Sequence, residues 1–394
     1  MEVILGIDFG TSCTSAGALF GDRIDLIQDA GDVVIPTVVH VPARGPLEIG
    51  RRAVMRMLSE PSGVIRSVKR VLGVPASSPL VRQFAAGAPF RIDTSHDRIA
   101  FKLASGEYAP EQIAAAVLAR VRELAEVRFG GQVRKAVITM SASPPERYRE
   151  ALLRAARIAH LDVLEMIAEP IAGALAVGMH GELAERRLVI CDFGGGTFDV
   201  SAVVQSGLKF APVATQGDPW LGGDDLDLAL AEGLAGAVFK KCGYDMHRDT
   251  VRWNELLIRC EGIKRQLSTK RDVPFAMREA YVETGRSRDL EIVIDRAWAE
   301  ARWQPLLERV QATILGLLQR AGWRADDVDR VALIGGGSLV PMFQRYVGAV
   351  FPEQQVIVAP MAEVAVARGA VLLSARHGAA ARGVPVLDLA GGVA

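Results

Sequence analysis

One stretch constrains this chain more than any other: residues 188–204, LVICDFGGGTFDVSAVV. Leu188, Val189 and Ile190 read as a buried strand, and Asp192 stands where that strand ends. Gly194, Gly195 and Gly196 then turn the chain with no Cβ to obstruct a ligand, and Thr197 and Asp199 follow. Converging backbone N–H groups and a threonine hydroxyl suit a phosphate, and a carboxylate beside them suits a hydrated divalent cation. No GK[ST] follows the glycines, and Phe198, Val200, Ala202 and Val203 alternate like a second strand, so this is neither a Walker A loop nor a GxGxxG helix start. The alternatives are a hairpin that grips phosphate and an ordinary Gly-rich turn. What favours the first is a second copy at 4–18, ILGIDFGTSCTSAGA, with Asp8, Gly10, Thr11 and Ser12 in the corresponding places. Recurrence of the turn together with its flanking strands predicts an internal duplication, two lobes facing one ligand.

The 394 residues suffice for two such lobes, each with its own core. Lys plus Arg and Asp plus Glu balance at 46 each, and no basic block occurs, which argues against a nucleic-acid partner. Cys13, Cys191, Cys242 and Cys260 lie singly, so neither a zinc site nor a disulfide framework is expected; a reducing cytoplasm is. Cys13 and Cys191, flanking the two turns, read as small buried hydrophobes. No basic n-region precedes Val3 and no apolar run approaches the roughly 18 residues of a membrane span, so neither export nor a membrane partner is expected.

Along the chain, 23–27 and 33–41 read as strands, and 77–105 as loops and short strands of a peripheral part. Lys69 and Arg70 within 67–73 read either as a solvated basic pair or as cations reaching a phosphate. A helix is predicted over 108–131, a strand over 135–140, a helix over 146–159 and a strand over 163–167. That last strand delivers Glu169, which either orients a water at a cleft or is a surface charge before Pro170; a helix over 171–177 follows. Gly222 and Gly223 form another turn before a helix at 226–239. In the helix at 253–267, Glu261, Lys264, Arg265 and Ser268 share one face, which is either solvated or set against a nucleoside. A helix at 302–322 and a strand at 330–334 lead to a third glycine turn, Gly335, Gly336 and Gly337, and 362–373 is helical.

Together these segments resemble the nucleotide-binding domain of the seventy-kilodalton heat-shock chaperones, the DnaK type, over nearly the whole chain. IDFGTS and DFGGGTFDVS resemble that family's two phosphate motifs, KRVLG its lysine segment, AEPIAGALAVG its connecting motif, and LGGDDLD, CEGIKRQLS and LIGGGSLVP its nucleoside-side motifs. The resemblance implies an α/β fold of the duplicated actin-like, ribonuclease H-like kind, each lobe a mixed sheet flanked by helices, with the nucleotide in the cleft. The expected divisions are lobe I over 1–181, lobe II over 182–361, a helix over 362–377 returning to lobe I, and a linker-like tail over 378–394 containing VPVLDLA.

The implied activity is slow ATP hydrolysis. Asp8 and Asp192 would hold Mg²⁺ through waters, with K⁺ a further candidate ion. Thr11 and Thr197 would bond phosphate oxygens, Lys69 would position the γ-phosphate, Glu169 would order the attacking water and Asp199 would assist. Gly10, Ser12, Cys13, Gly194, Gly195 and Gly196 complete the expected phosphate contacts. Gly222, Gly223, Glu261, Lys264, Arg265, Ser268 and Gly335 to Gly337 form the expected nucleotide wall. Candidate partners are a nucleotide-exchange factor and a J-domain co-chaperone, and no peptide-binding domain is expected in these residues. Three departures stand out: Leu339 where the family has an arginine, Ser141 where it has a proline, and Glu363 near its aspartate. They leave open a regulatory module with little turnover, beside an actin-like filament subunit and a small-molecule kinase.

Overall fold

The computed structural model describes residues 2–178, 185–207, 209–351 and 355–378; the VPVLDLA segment lies outside them. Two sheets dominate, and they repeat one topology. In the first, the strand order is Asp162–Ala168, Lys135–Met140, Ile4–Phe9, Cys13–Phe20, Arg23–Leu26, with Ile35–Pro36 pairing alongside Cys13–Phe20. In the second it is Gln355–Val358, Arg330–Ile334, Glu185–Phe193, Phe198–Ser206, Lys209–Asp218. In each, a first strand turns back antiparallel into a meander on one side and pairs parallel with a later strand on the other. The parallel partners return by helical crossovers, as parallel pairing requires. The duplication read in the two D-F-G turns is therefore a duplication of whole sheets.

The strand residues explain the layers. Leu5, Ile7 and Phe9 are wholly buried on the first sheet, and Leu188, Val189 and Cys191 on the second, since both faces of each sheet are covered. Helices Pro110–Phe129 and Glu146–Ile158 cover the first sheet, and Gly223–Cys242 and Arg296–Ala321 the second. A third cluster joins the halves, where Ile171 and Leu175 meet Ile190, Ile334, Ala365 and Val366. Helix Ala365–Ser374 follows the last strand of the second sheet yet packs on helix Glu169–Ala176 and on strand Ile4–Phe9. Small residues permit this crossing: a Cβ on Gly369 would lie 1.9 Å from the carbonyl oxygen of Ala172.

Several elements differ from expectation for local reasons. The 77–105 segment contains a helix, Pro79–Gly87, with Ser78 accepting from the Leu80 N–H, proline in its first turn, and Val81 and Phe84 buried one turn apart. The predicted strand over 33–41 is split at Pro36 and Thr37 into Ile35–Pro36 and Val38–His40, which join different sheets. The helix expected from 302 begins at Arg296, capped by Asp295 and carrying Pro305 inside it. A long two-stranded ribbon, Asp272–Glu283 with Arg286–Asp295, projects from the second half.

Candidate functional site

The two glycine turns meet face to face. A Cβ on Gly195 would stand 2.5 Å from the Ser12 Cβ, and one on Gly196 would stand 2.7 Å from the Thr11 Cγ2. Only bare backbone allows the hairpins this approach. Each turn is held from outside itself. Thr37 donates to the Gly10 carbonyl at 3.0 Å, while Gly223 and Asp224 donate their N–H groups to the carbonyls of Gly194 and Gly195 at 3.0 and 2.7 Å. Across the halves, the Ser12 hydroxyl donates to Asp224 at 2.9 Å. The Arg70 guanidinium donates to the Gly196 carbonyl at 2.5 Å and lies 3.9 Å from the Trp220 ring centroid.

Below the turns, charge is concentrated. Asp192 and Asp199 are register partners on the second hairpin, and Asp8 heads the first, accepting from the Thr139 hydroxyl at 3.0 Å. Lys69, in a tight turn at Val68–Val71, donates to Glu169 at 2.7 Å, and both side chains are almost enclosed. This overturns the solvated-pair reading for Lys69 and for Arg70, and the surface-charge reading for Glu169. A small cavity between the halves is lined by Ser141, Glu169, Pro170, Asp192, Asp199 and Thr215.

Burial, reinforced by Glu169, pushes the Asp8 carboxyl up to about 7 and Asp199 up to about 6. Asp192 is pushed well above the carboxylate range by burial and by Glu169, Asp8 and Asp199. Burial works against the charge on Lys69, but Glu169, Tyr148 and Asp8 outweigh it and hold the ammonium protonated. Four carboxylates thus face one ammonium, a deficit of positive charge that a divalent cation would correct. Among the described residues no three such side chains converge closely enough to wrap a bare ion. Mg²⁺ fits that donor set, because it retains waters and takes one or two carboxylates plus phosphate oxygens.

The other end of the cleft differs. Gly335, at φ 81°, occupies the left-handed region beside Asp192 and starts the turn Gly336–Leu339. Helix Thr250–Leu267 does not present its four polar residues as one face. The Lys264 ammonium is buried between Asp227, at 2.7 Å, and the Gly223 carbonyl, at 2.8 Å, so it ties that helix to the glycine turn. Ser268 bonds back to the Lys264 carbonyl at 3.4 Å. Arg265 reaches Glu363 at 3.2 Å and Glu261 at 3.9 Å, all exposed or nearly so, and Leu339 is exposed as well. Cys13 is solvent-accessible, against the buried-hydrophobe expectation, which holds for Cys191.

Sequence reasoning missed Thr139, Trp220, Asp224 and Asp227. Thr139 was findable as the lone polar residue near the end of an apolar strand. Trp220, beside Leu221 and the Gly222–Gly223 turn, carried no local signal for a partner some 150 positions earlier in the chain.

Among known proteins, the family model described as Hsp70 protein matches residues 4–391. The mitochondrial heat shock 70 kDa protein of Solanum tuberosum is 32% identical over 350 residues, covering 88% of this chain and 51% of its own. The chain therefore spans about half the length of that relative. The alternatives of a filament subunit, a kinase or a regulatory module are not favoured by these matches. The cytoplasmic expectation is overturned, since the relative is a mitochondrial protein; scattered cysteines indicate a reducing compartment without singling out the cytosol. The paired glycine hairpins, the duplicated sheets and these matches agree: the chain belongs to the Hsp70 family.

Proposed function

We propose that this chain hydrolyses ATP slowly, in a Mg²⁺-dependent reaction at the floor of the cleft. The observation that carries the reading is the enclosed Lys69–Glu169 pair beside three half-buried aspartates, beneath two glycine turns from opposite halves. Asp8 and Asp192 would hold the ion through waters, and bound Mg²⁺ would screen the phosphate charge and order its oxygens. Thr11 and Thr197 bond phosphate oxygens, with the N–H groups of Gly10, Ser12, Cys13 and Gly194 to Gly196 around them. Lys69 neutralises the terminal phosphate, and Glu169 orients the water that attacks it in line. Asp199 supports the same water network. The reaction leaves the protein little covalent work, so positioning and electrostatics supply the acceleration.

The nucleoside lies against Gly222, Gly223 and Gly335 to Gly337, with Arg265, Glu261 and Ser268 at its edge and Lys264 supporting the wall from behind. Lobe I over 1–181 and lobe II over 182–361 close on ATP more than on ADP, because the γ-phosphate reaches both turns. The residues over 362–377 belong with lobe I, and those over 378–394 act as a linker. K⁺ is a further candidate ion, and a nucleotide-exchange factor and a J-domain co-chaperone are the candidate partners. Single-turnover hydrolysis of ATP with Mg²⁺ and with excess chelator tests the reading. Turnover that is absent in both, or equal in both, would refute it.

A further inference from the structure

Tyr148 sits in the first turn of helix Glu146–Ile158, its ring in the core of the first half. Its hydroxyl is the only hydroxyl among the buried side-chain polar atoms of the described residues that lack a hydrogen-bond partner. The charged groups around it are Lys69, Glu169 and Asp8. The chain leaving the Lys69 turn packs on the start of this helix, where a Cβ on Gly73 would stand 2.8 Å from the Tyr148 Cα, and the Tyr148 ring shares its core with Val68 and Val71 on either side of Lys69. A buried polar group left unpaired costs about 1–3 kcal/mol, and in native proteins a water, ion or ligand usually resolves it. The Lys69–Glu169 bond uses one carboxylate oxygen of Glu169 and one ammonium proton, leaving hydrogen-bonding capacity on both.

We propose that the Tyr148 hydroxyl is a further residue of the hydrolytic site, holding the attacking water together with Glu169. The inference rests on the ATPase reading above. A water that gives one proton to Glu169 and takes one from Tyr148 retains a single free lone pair, and that lone pair is aimed at the terminal phosphorus. Its oxygen forms a bond to phosphorus as the bond from phosphorus to the bridging oxygen breaks. ADP leaves with that electron pair, and the water's protons end on inorganic phosphate and solvent. Tyr148 transfers no proton; burial pushes its phenol up to about 12, so it stays a neutral donor.

The test is Tyr148→Phe, which keeps the ring and removes the hydroxyl. Single-turnover hydrolysis should slow about tenfold, the effect of one lost neutral hydrogen bond. ATP and ADP affinities should stay within about twofold and thermal stability should not fall, because an unpaired buried hydroxyl is lost. A structural role would give an independent loss in every background. The proposal instead expects Tyr148→Phe to add almost nothing once Glu169→Gln has disabled the same water. A wild-type rate in Tyr148→Phe, or a full further loss in the double variant, overturns the role of Tyr148 and leaves the ATPase reading standing. A wild-type chain that does not hydrolyse ATP overturns both.

Discussion

At the floor of the cleft, where the phosphates are proposed to lie, Asp8, Asp192, Asp199 and Glu169 crowd around Lys69, and the acidities of the three aspartates are set by burial first. At the end proposed for the nucleoside, Arg265, Glu261 and Glu363 form pairs in water, where ion pairs contribute about 0–1 kcal/mol. One end holds charge in a medium that magnifies it; the other holds charge where solvent screens it. Substitutions of similar chemistry should therefore differ in effect by orders of magnitude according to which end they strike. Chemistry belongs where the field is strong, and recognition of a flat base can rest on backbone and contact.

The largest effect is expected at Lys69. Lys69→Ala should lower single-turnover hydrolysis about a hundredfold or more, by loss of one preorganised charge, while ADP affinity is largely kept. It also strands Glu169, and breaking an enclosed pair costs about 3–5 kcal/mol, so thermal unfolding should come earlier. Undiminished hydrolysis would show that the buried end is not where the chemistry is done.

Next come the two hairpin carboxylates. Asp8→Asn and Asp192→Asn should each weaken Mg-ATP about tenfold or more, measured by calorimetry, because each removes a full charge in a low-dielectric site. The nucleotide-free protein should behave in the opposite sense. The folded-state pKa of Asp8 is raised from 3.8 to about 7 and that of Asp199 to about 6, so the native state binds more protons than the unfolded state between those values. The stability these groups contribute is complete below about pH 4 and is lost as pH rises through about 6 to 7. Asp8→Asn should flatten that part of the stability profile and raise the melting temperature near neutral pH. An unchanged profile would mean that Asp8 is not held in the strained field described above.

The latch between the ends should give an intermediate effect. Arg70 stacks on Trp220 and bonds the Gly196 carbonyl, and a partly desolvated cation–π contact contributes about 1–2 kcal/mol. Arg70→Ala should speed ADP release several-fold and shift Trp220 emission, with stopped-flow fluorescence reading both. Equal release rates would show that the halves are held by the helices at their base alone.

The floor of the cleft was also the more legible in sequence. The hairpins that carry Asp8, Gly10, Thr11, Asp192, Gly195 and Thr197 were readable as hairpins because turn chemistry is local: a carboxylate at a strand end, glycines, a hydroxyl and a return strand. Strands Lys135–Met140 and Arg330–Ile334 were readable to the residue, because each is a short, mainly apolar run that starts at a charged residue and stops at a small one, Ser141 or Gly335. Lys264 was misread as part of a polar face because spacing along a helix reports direction without reporting what lies opposite, and Asp227 lies opposite. Arg70 and Trp220 were illegible as partners, since contacts between residues so far apart in the chain leave no periodic trace. The helix Pro79–Gly87 was missed for a different reason: only two of its residues are buried, too few to mark a stripe.

The smallest effect is expected at Glu363. Its pair with Arg265 closes the exposed rim of the nucleoside end, and Gly336 packs against its stem, with 3.4 Å between the Glu363 Cγ and a Cβ placed on that glycine. Glu363→Gln keeps the stem and removes the charge, so the packing stays and only the screened attraction is lost. Such pairs contribute about 0–1 kcal/mol, which corresponds to a change in nucleotide affinity of less than about fivefold. The sign distinguishes two roles for Arg265. If the pair holds the guanidinium where a base stacks on it, affinity should fall slightly. If it holds the guanidinium across the base's place, releasing it should raise affinity. Either shift should fade as salt is raised above about 0.15 M, because exposed charges are screened beyond roughly 8 Å. An effect larger than tenfold, or one indifferent to salt, would mean that the rim is as strongly coupled as the floor, and the contrast between the two ends of the cleft would not stand.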